Sequence, residues 1–116
     1  MRIVVVGAGV VGFHLAEKLS DDHHKITIID SNSELIQRID ERLNVQAILG
    51  NAASPRVLRK AKIGAADLVI AVTDRDETNI TVSLLAKHLG AKKIVVRLRN
   101  AELSADKEWM ELYGEQ

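Results

Sequence analysis

The sequence predicts an α/β protein built on a doubly wound parallel sheet with strand order 3-2-1-4-5. Three observations predict it. Short β-branched runs alternate with stretches of helical periodicity along the chain. A glycine-rich turn, Gly7-Ala8-Gly9-Val10-Val11-Gly12, joins the first run to the first helical stretch, and an acidic residue, Asp30, closes the second run. Right-handed crossovers between successive parallel strands then leave the Rossmann-type arrangement as the natural topology.

Each element has its own signal. Ile3 to Val6 is a continuous β-branched run ending at Gly7, as suits a central strand buried on both faces. From Val10 to Ser20 the apolar residues Val11, Leu15, Ala16 and Leu19 recur at helical spacing until Ser20, Asp21 and Asp22 break it. Lys25 to Asp30 is the second strand. Ser31 with Glu34 reads as a capping box for a helix whose apolar face is Leu35, Ile36, Ile39 and Leu43. Val45 to Leu49 is the third strand, and Ser54 before Pro55 reads as the cap and first residue of a helix reaching about Ile63. Gly64 can supply that helix's left-handed cap. Asp67 to Val72 is the fourth strand, and Thr73 to Asp76 opens a helix ending near Leu89 and Gly90. Lys93 to Leu98 is the fifth strand, and a last helical stretch runs from about Ala101 to Tyr113. The pattern stops where a sixth strand would come, so the reading is of one nucleotide-binding domain over residues 1–116, apparently truncated before that strand.

Composition narrows the function. Sixteen Lys plus Arg balance sixteen Asp plus Glu, so no global field draws the chain to nucleic acid or anionic lipid. The lack of cysteine removes disulfides, thiolate metal sites and cysteine nucleophiles together. With no signal-peptide pattern and no long apolar run, the expectation is a cytoplasmic protein that does not insert in a membrane. The four histidines, His14, His23, His24 and His88, show no metal-ligand spacing and read as surface residues.

The chemistry gathers at the carboxyl ends of the strands. Gly7 makes the tight turn, Gly9 lets a pyrophosphate approach the backbone, and Gly12 permits close helix packing, while backbone N–H groups at the helix start bind phosphate. Asp30 stands where a carboxylate accepts both ribose hydroxyls and repels a 2′-phosphate, which favours NAD or ADP-like ligands over NADP; the alternative is that it caps the next helix. Ser31 and Asn32 follow it in place of arginine. Asn51, between Gly50 and Ala52, either meets the adenine edge or makes an ordinary turn. Thr73 and Asp74 face the crevice beside the glycine loop, cap the fourth helix (Thr73 with Asp76, or Asp74 with Glu77), or do both. Arg97 and Arg99 share one side of the fifth strand by period-two alternation, where they either meet a phosphate or are solvated. The apolar Trp109, Met110, Leu112 and Tyr113 of the final helix read as core packing first, with a contact surface for a further part of the protein as the alternative.

With these residues in place the chain resembles the N-terminal nucleotide-binding domain of TrkA-type potassium uptake regulators, the RCK or KTN family. The likeness covers nearly the whole chain. It rests on the glycine loop, the strand end Ile28-Ile29-Asp30, and Gly50-Asn51-Ala52 leading to Pro55-Arg56-Val57-Leu58. It rests also on Val96-Arg97-Leu98-Arg99 and, most specifically, on the block Thr73-Asp74-Arg75-Asp76-Glu77-Thr78-Asn79. The resemblance implies a cytoplasmic regulatory subunit, peripheral to the inner membrane, that forms a ring on a membrane potassium transporter and binds NAD(H) or ATP and ADP without catalysis. It assigns phosphates to Gly7 through Gly12, ribose to Asp30, the adenine side to Asn51 and Ala52, and the distal ligand to Thr73, Asp74 and Arg97. Phe13 stands where some members have a phosphate-binding arginine, which implies a weaker preference for ATP. Asn51 stands where many have aspartate.

A rival reading is the cofactor domain of an NAD-dependent dehydrogenase, which predicts a substrate domain and a general acid or base facing the nicotinamide. No residue of the chain presents itself for that role. An exposed edge strand further predicts a homo-oligomer, at least a dimer.

Overall fold

A computed structural model describes residues 1–100 and residue 102. Five strands, β1 (Arg2–Val6), β2 (Lys25–Asp30), β3 (Gln46–Leu49), β4 (Leu68–Ala71) and β5 (Ile94–Val96), form one parallel sheet in the order β3-β2-β1-β4-β5. This is the predicted doubly wound topology. Four α-helices connect them: α1 (Val10–Asp21), α2 (Ser33–Arg42), α3 (Pro55–Lys60) and α4 (Asp76–Leu89), with a short 3₁₀ turn at Ile63–Ala65. The expected final helix, with Trp109 and its apolar neighbours, lies outside the described residues.

Alternation along the strands divides the core in two. Ile3, Val5, Ile26, Ile28 and Ile70 face α1 and α2, whereas Val4, Val6, Ile29, Ile48, Val69 and Ala71 face α3 and α4. Strands buried on both faces therefore need the unbroken β-branched runs seen in the sequence. Ile3, Ile28 and Ile29 are almost wholly enclosed, and each such side chain contributes about 2 kcal/mol of transfer free energy.

The local signals hold where the chain is its own partner. Ser54 accepts a hydrogen bond from the Val57 N–H with Pro55 just inside α3, and Gly90 closes α4 at φ 106°. Three others give way. Asn32, not Ser31, caps α2, accepting from the N–H groups of Glu34 and Leu35; Ser31 is displaced because Asp30 turns the backbone first. The third helix stops at Lys60, and the left-handed residue after it is Lys62 at φ 57°, not Gly64. Gly64 is small for another reason: a Cβ there would stand 2.4 Å from the Leu89 carbonyl oxygen, so it lets the end of α4 pack closely. Neither capping box proposed for α4 forms, because Arg75 occupies the cap position without a side-chain bond and the neighbouring polar groups serve other partners.

Candidate functional site

The carboxyl ends of β1, β2, β4 and β5 enclose a cleft of about 450 Å³, within the usual range for small-molecule sites. Gly7, Gly9, Val10, Val11, Asp30, Thr73, Asp74 and Arg97 line it, joined by Asn32, Leu35, Val72 and Arg99. Most of the residues singled out in the sequence are thus brought together. Gly12, Ala8, Ser31, Asn51 and Ala52 do not line this cleft.

The glycine loop has a physical reason at each position. Gly7 has φ 115°, and a Cβ on it would lie 2.9 Å from the Thr73 nitrogen, so the loop passes directly against the end of β4. At Gly12 a Cβ would fall 1.7 Å from the Gly7 oxygen, which makes this glycine a packing residue beneath the cleft. A Cβ on Gly9 would meet nothing within 4 Å: the space above it is open. The first helical hydrogen bond of α1 runs from Phe13 N–H to Gly9 at 2.8 Å, so the N–H groups of Val10, Val11 and Gly12 have no helical acceptor. No acidic residue stands in this first turn and no side chain caps it. Its partial positive charge is therefore available to an anion in the cleft, and the donors fit a pyrophosphate.

Asp30 is bound on both oxygens. Ala8 N–H donates to Oδ2 at 2.8 Å and Asn32 N–H to Oδ1 at 2.8 Å, so the carboxylate ties the glycine loop to the turn that opens α2. Ala8 is buried by this arrangement and acts on the loop from below. Each carboxylate oxygen retains lone-pair capacity toward the cleft, where ribose hydroxyls could donate.

On the opposite wall, Asn79 organises the ends of β4 and β5. It is fully enclosed, yet every hydrogen-bonding position of its carboxamide is used. Oδ1 accepts from Thr73 N–H at 2.9 Å and from the Thr73 hydroxyl at 2.6 Å, while Nδ2 donates to the carbonyls of Thr73 at 3.1 Å and Arg97 at 3.0 Å. Asp76, one turn away, accepts from the N–H groups of Arg99 at 2.9 Å and Asn100 at 2.6 Å. Those two amides, and the nearby Arg99 and Arg97 guanidinium charges, hold the Asp76 carboxyl below the usual carboxylate range. This network diverts the chain after Val96, which is why β5 ends before the expected Leu98. It also anchors Arg99, whose guanidinium donates to the Asp74 carbonyl.

Sequence reasoning placed Thr73 and Arg97 here but did not give Asn79 a role. The available signal was its position: Asn79, Val82, Ser83 and Ala86 share the buried face of α4 at helical spacing, so a carboxamide there had to find buried partners. Asn51 lies beyond the cleft, at the end of β3, with Oδ1 accepting from Ala53 N–H at 2.9 Å. The turn role is therefore filled, and its exposed amide group remains available. Ala52 is buried in the core beside Val57. Phe13 is also buried, with the Arg38 guanidinium 4.5 Å from its ring centre.

Comparison with known proteins identifies relatives and similar folds. A Trk system potassium uptake protein TrkA homolog of Archaeoglobus fulgidus is 48% identical over 102 residues, covering 88% of this chain and 23% of the relative. The Trk system potassium uptake protein TrkA of Vibrio alginolyticus is 37% identical over 109 residues, covering 93% and 24% respectively. The chain thus spans about a quarter of the length of these curated relatives. Among solved structures, the GsuK channel bound to NAD superposes with TM-score 0.82 at 20% identity, covering 97% of this chain and 20% of that one. The Kef C-terminal domain of Shewanella denitrificans in its AMP-bound form superposes with TM-score 0.69 at 16% identity, covering 98% and 82%. The family model of the TrkA-N domain matches residues 3–108, nearly the whole chain, and with the shared fold and these relatives it shows that the chain belongs to the TrkA-N domain family.

Proposed function

We propose that this chain is the nucleotide-sensing domain of a potassium-uptake regulator. NAD(H) or an adenine nucleotide occupies the cleft, with its phosphates over Gly9 and the first turn of α1 and a ribose on Asp30. The single observation that carries the reading is the open space above Gly9, bounded by uncapped helix N–H groups and by the Asp30 carboxylate. Support comes from relatives named for potassium uptake and from similar folds bound to NAD or AMP. Thr73, Asp74 and Arg97 take the distal part of the ligand, and Asn51 approaches the adenine side from the end of β3.

The role is regulatory rather than catalytic. Ligand in the cleft bridges the glycine loop and the ends of β4 and β5, and different affinity in two states passes the change to a membrane potassium transporter through a homo-oligomer of regulatory subunits. Among the described residues no helix is long and apolar enough to cross a membrane. Calorimetric titration with NAD, NADH, NADP, ATP and ADP tests the reading. NAD(H) or an adenine nucleotide should bind, with NADP at least tenfold weaker through repulsion by Asp30; absence of binding by every one of the five would remove the sensing role.

A further inference from the structure

We infer that the amino-terminal edge of the sheet carries a second ligand site, separate from the nucleotide cleft, for a soluble multivalent oxyanion of the phosphate class. A cavity of about 540 Å³ opens there. Arg2, Lys25, Lys62, His23 and His24 line it, and no carboxylate does. In a chain with formal net charge zero, this gathering of three fixed cations, Arg2, Lys25 and Lys62, is a local asymmetry.

Register brings two of these cations together. Arg2 and Lys25 are direct partners on the neighbouring strands β1 and β2, so two like charges stand side by side on the face that carries Val4 and Thr27. The nearest acid in β4's approach, Asp67, is already engaged by the Arg2 N–H at 2.8 Å and by Lys92 at 3.4 Å. Glu17 and Asp21 line a neighbouring hollow that shares only His23 and Asn44 with this cavity.

Thr27 and Gln46 add uncharged polar groups to a lining that also includes Val4, Ala61 and Ala66. Lys25 and Gln46, the first residues of β2 and β3, are exposed. Thr27, only 9% exposed, donates to Gln46 Oε1 at 3.2 Å, which leaves the amide nitrogen of Gln46, a lining residue, as a donor. Backbone strain converges on the same place. Among the described residues only His23 (φ 65°) and Lys62 (φ 57°) are non-glycine residues in the left-handed region, and both line this cavity. Cations converging from separate segments, with hydroxyl and amide groups among them, suit an oxyanion bearing more than one charge.

The test is an amide-resolved titration of the isotope-labelled full chain with pyrophosphate at constant ionic strength, repeated on the double variant Lys25→Gln, Lys62→Gly. Glycine at position 62 relieves the left-handed backbone, and circular dichroism checks that the variant folds. Saturable shifts are expected at residues 23–27 and 62, with affinity at these amides at least tenfold weaker in the variant and the response of residues 7–11 unchanged. Shifts confined to residues 7–11, shifts that do not saturate, or equal affinity in the variant would each overturn the site. So would a response of residues 23–27 to phosphatidylglycerol vesicles but not to pyrophosphate, which would mark a membrane-facing surface instead.

Discussion

Ala8 donates its backbone N–H to Oδ2 of Asp30 at 2.8 Å, so the residue proposed to hold the ribose also holds the loop proposed to hold the phosphates. The other oxygen, Oδ1, holds Asn32, whose side chain in turn caps α2. One carboxylate thereby links the ends of β1 and β2 before any ligand arrives, and its substitution should report on fold and binding separately.

Asp30→Asn keeps the size of the side chain but loses one acceptor and the charge. The expected outcome is a fall in stability of about 1–2 kcal/mol, since hydrogen bonds to charged groups are worth roughly 1.5–3 kcal/mol and one neutral bond remains. Affinity for NAD should fall at least tenfold, and discrimination against NADP should narrow because the repelling charge is gone. Urea denaturation and calorimetry read the two effects independently. Unchanged discrimination would show that Asp30 is only a tether of the loop.

Two glycines of the loop should behave oppositely. Gly12→Ala places a methyl 1.7 Å from the Gly7 oxygen, so the loop and α1 must separate, at a cost of about 3 kcal/mol or more. Gly9→Ala meets no atom within 4 Å, and Gly9 has φ −71°, so melting should change little. Its methyl would instead occupy the phosphate space, and nucleotide affinity should drop tenfold or more. A Gly9→Ala protein that binds normally would place the phosphates elsewhere.

Asn79→Leu preserves approximate volume while removing all four hydrogen bonds inside an enclosed site. The carbonyls of Thr73 and Arg97 and the Thr73 amide lose their partner together, for an expected loss of about 3–5 kcal/mol. Hydrogen exchange should quicken first at Thr73 and in residues 97–100. A loss confined to α4 would contradict its role in joining β4 to β5.

Acid should loosen the same corner. The Asp76 carboxyl is held below its ordinary 3.8, first by the Arg99 amide and then by that of Asn100. A depressed folded value means that its contribution is fully present above the unfolded value and disappears as pH falls through the folded one. The stability difference between the wild type and Asp76→Ala should therefore be constant near neutrality and shrink progressively below pH about 4. Denaturation midpoints of both proteins across that range would show it; parallel curves throughout would mean that Asp76 does not bear the load assigned to it.

Much of the fold was legible because its signals are local. Unbroken β-branched runs marked doubly buried strands, Ser54-Pro55 marked the start of α3, Gly90 marked the end of α4, and the glycine loop with Asp30 marked the cleft. Local spacing failed where several polar residues competed for one helix end. Ser31 and Glu34 had the spacing of a capping box, but the Asp30 carboxylate captured the turn and handed the cap to Asn32. Thr73 and Asp76 had it too, but Asn79 claimed the first and the chain after β5 claimed the second.

By itself, then, the sequence determined the order of elements, the parallel topology and the cluster of candidate ligand groups at the strands' carboxyl ends, because periodicity and turn chemistry act over a few residues. Only the tertiary structure decided which polar groups pair: Asp30 with Ala8, Asn79 with Arg97, and Asp76 with Arg99 and Asn100. It alone decided, too, that Lys62 rather than Gly64 bends left-handed and that Arg2 stands beside Lys25. The pairings join positions 18 to 24 residues apart or depend on strand register, and a hydrogen bond is directional over less than about 3.5 Å. No local pattern encodes such meetings; they exist only once the sheet has set its register.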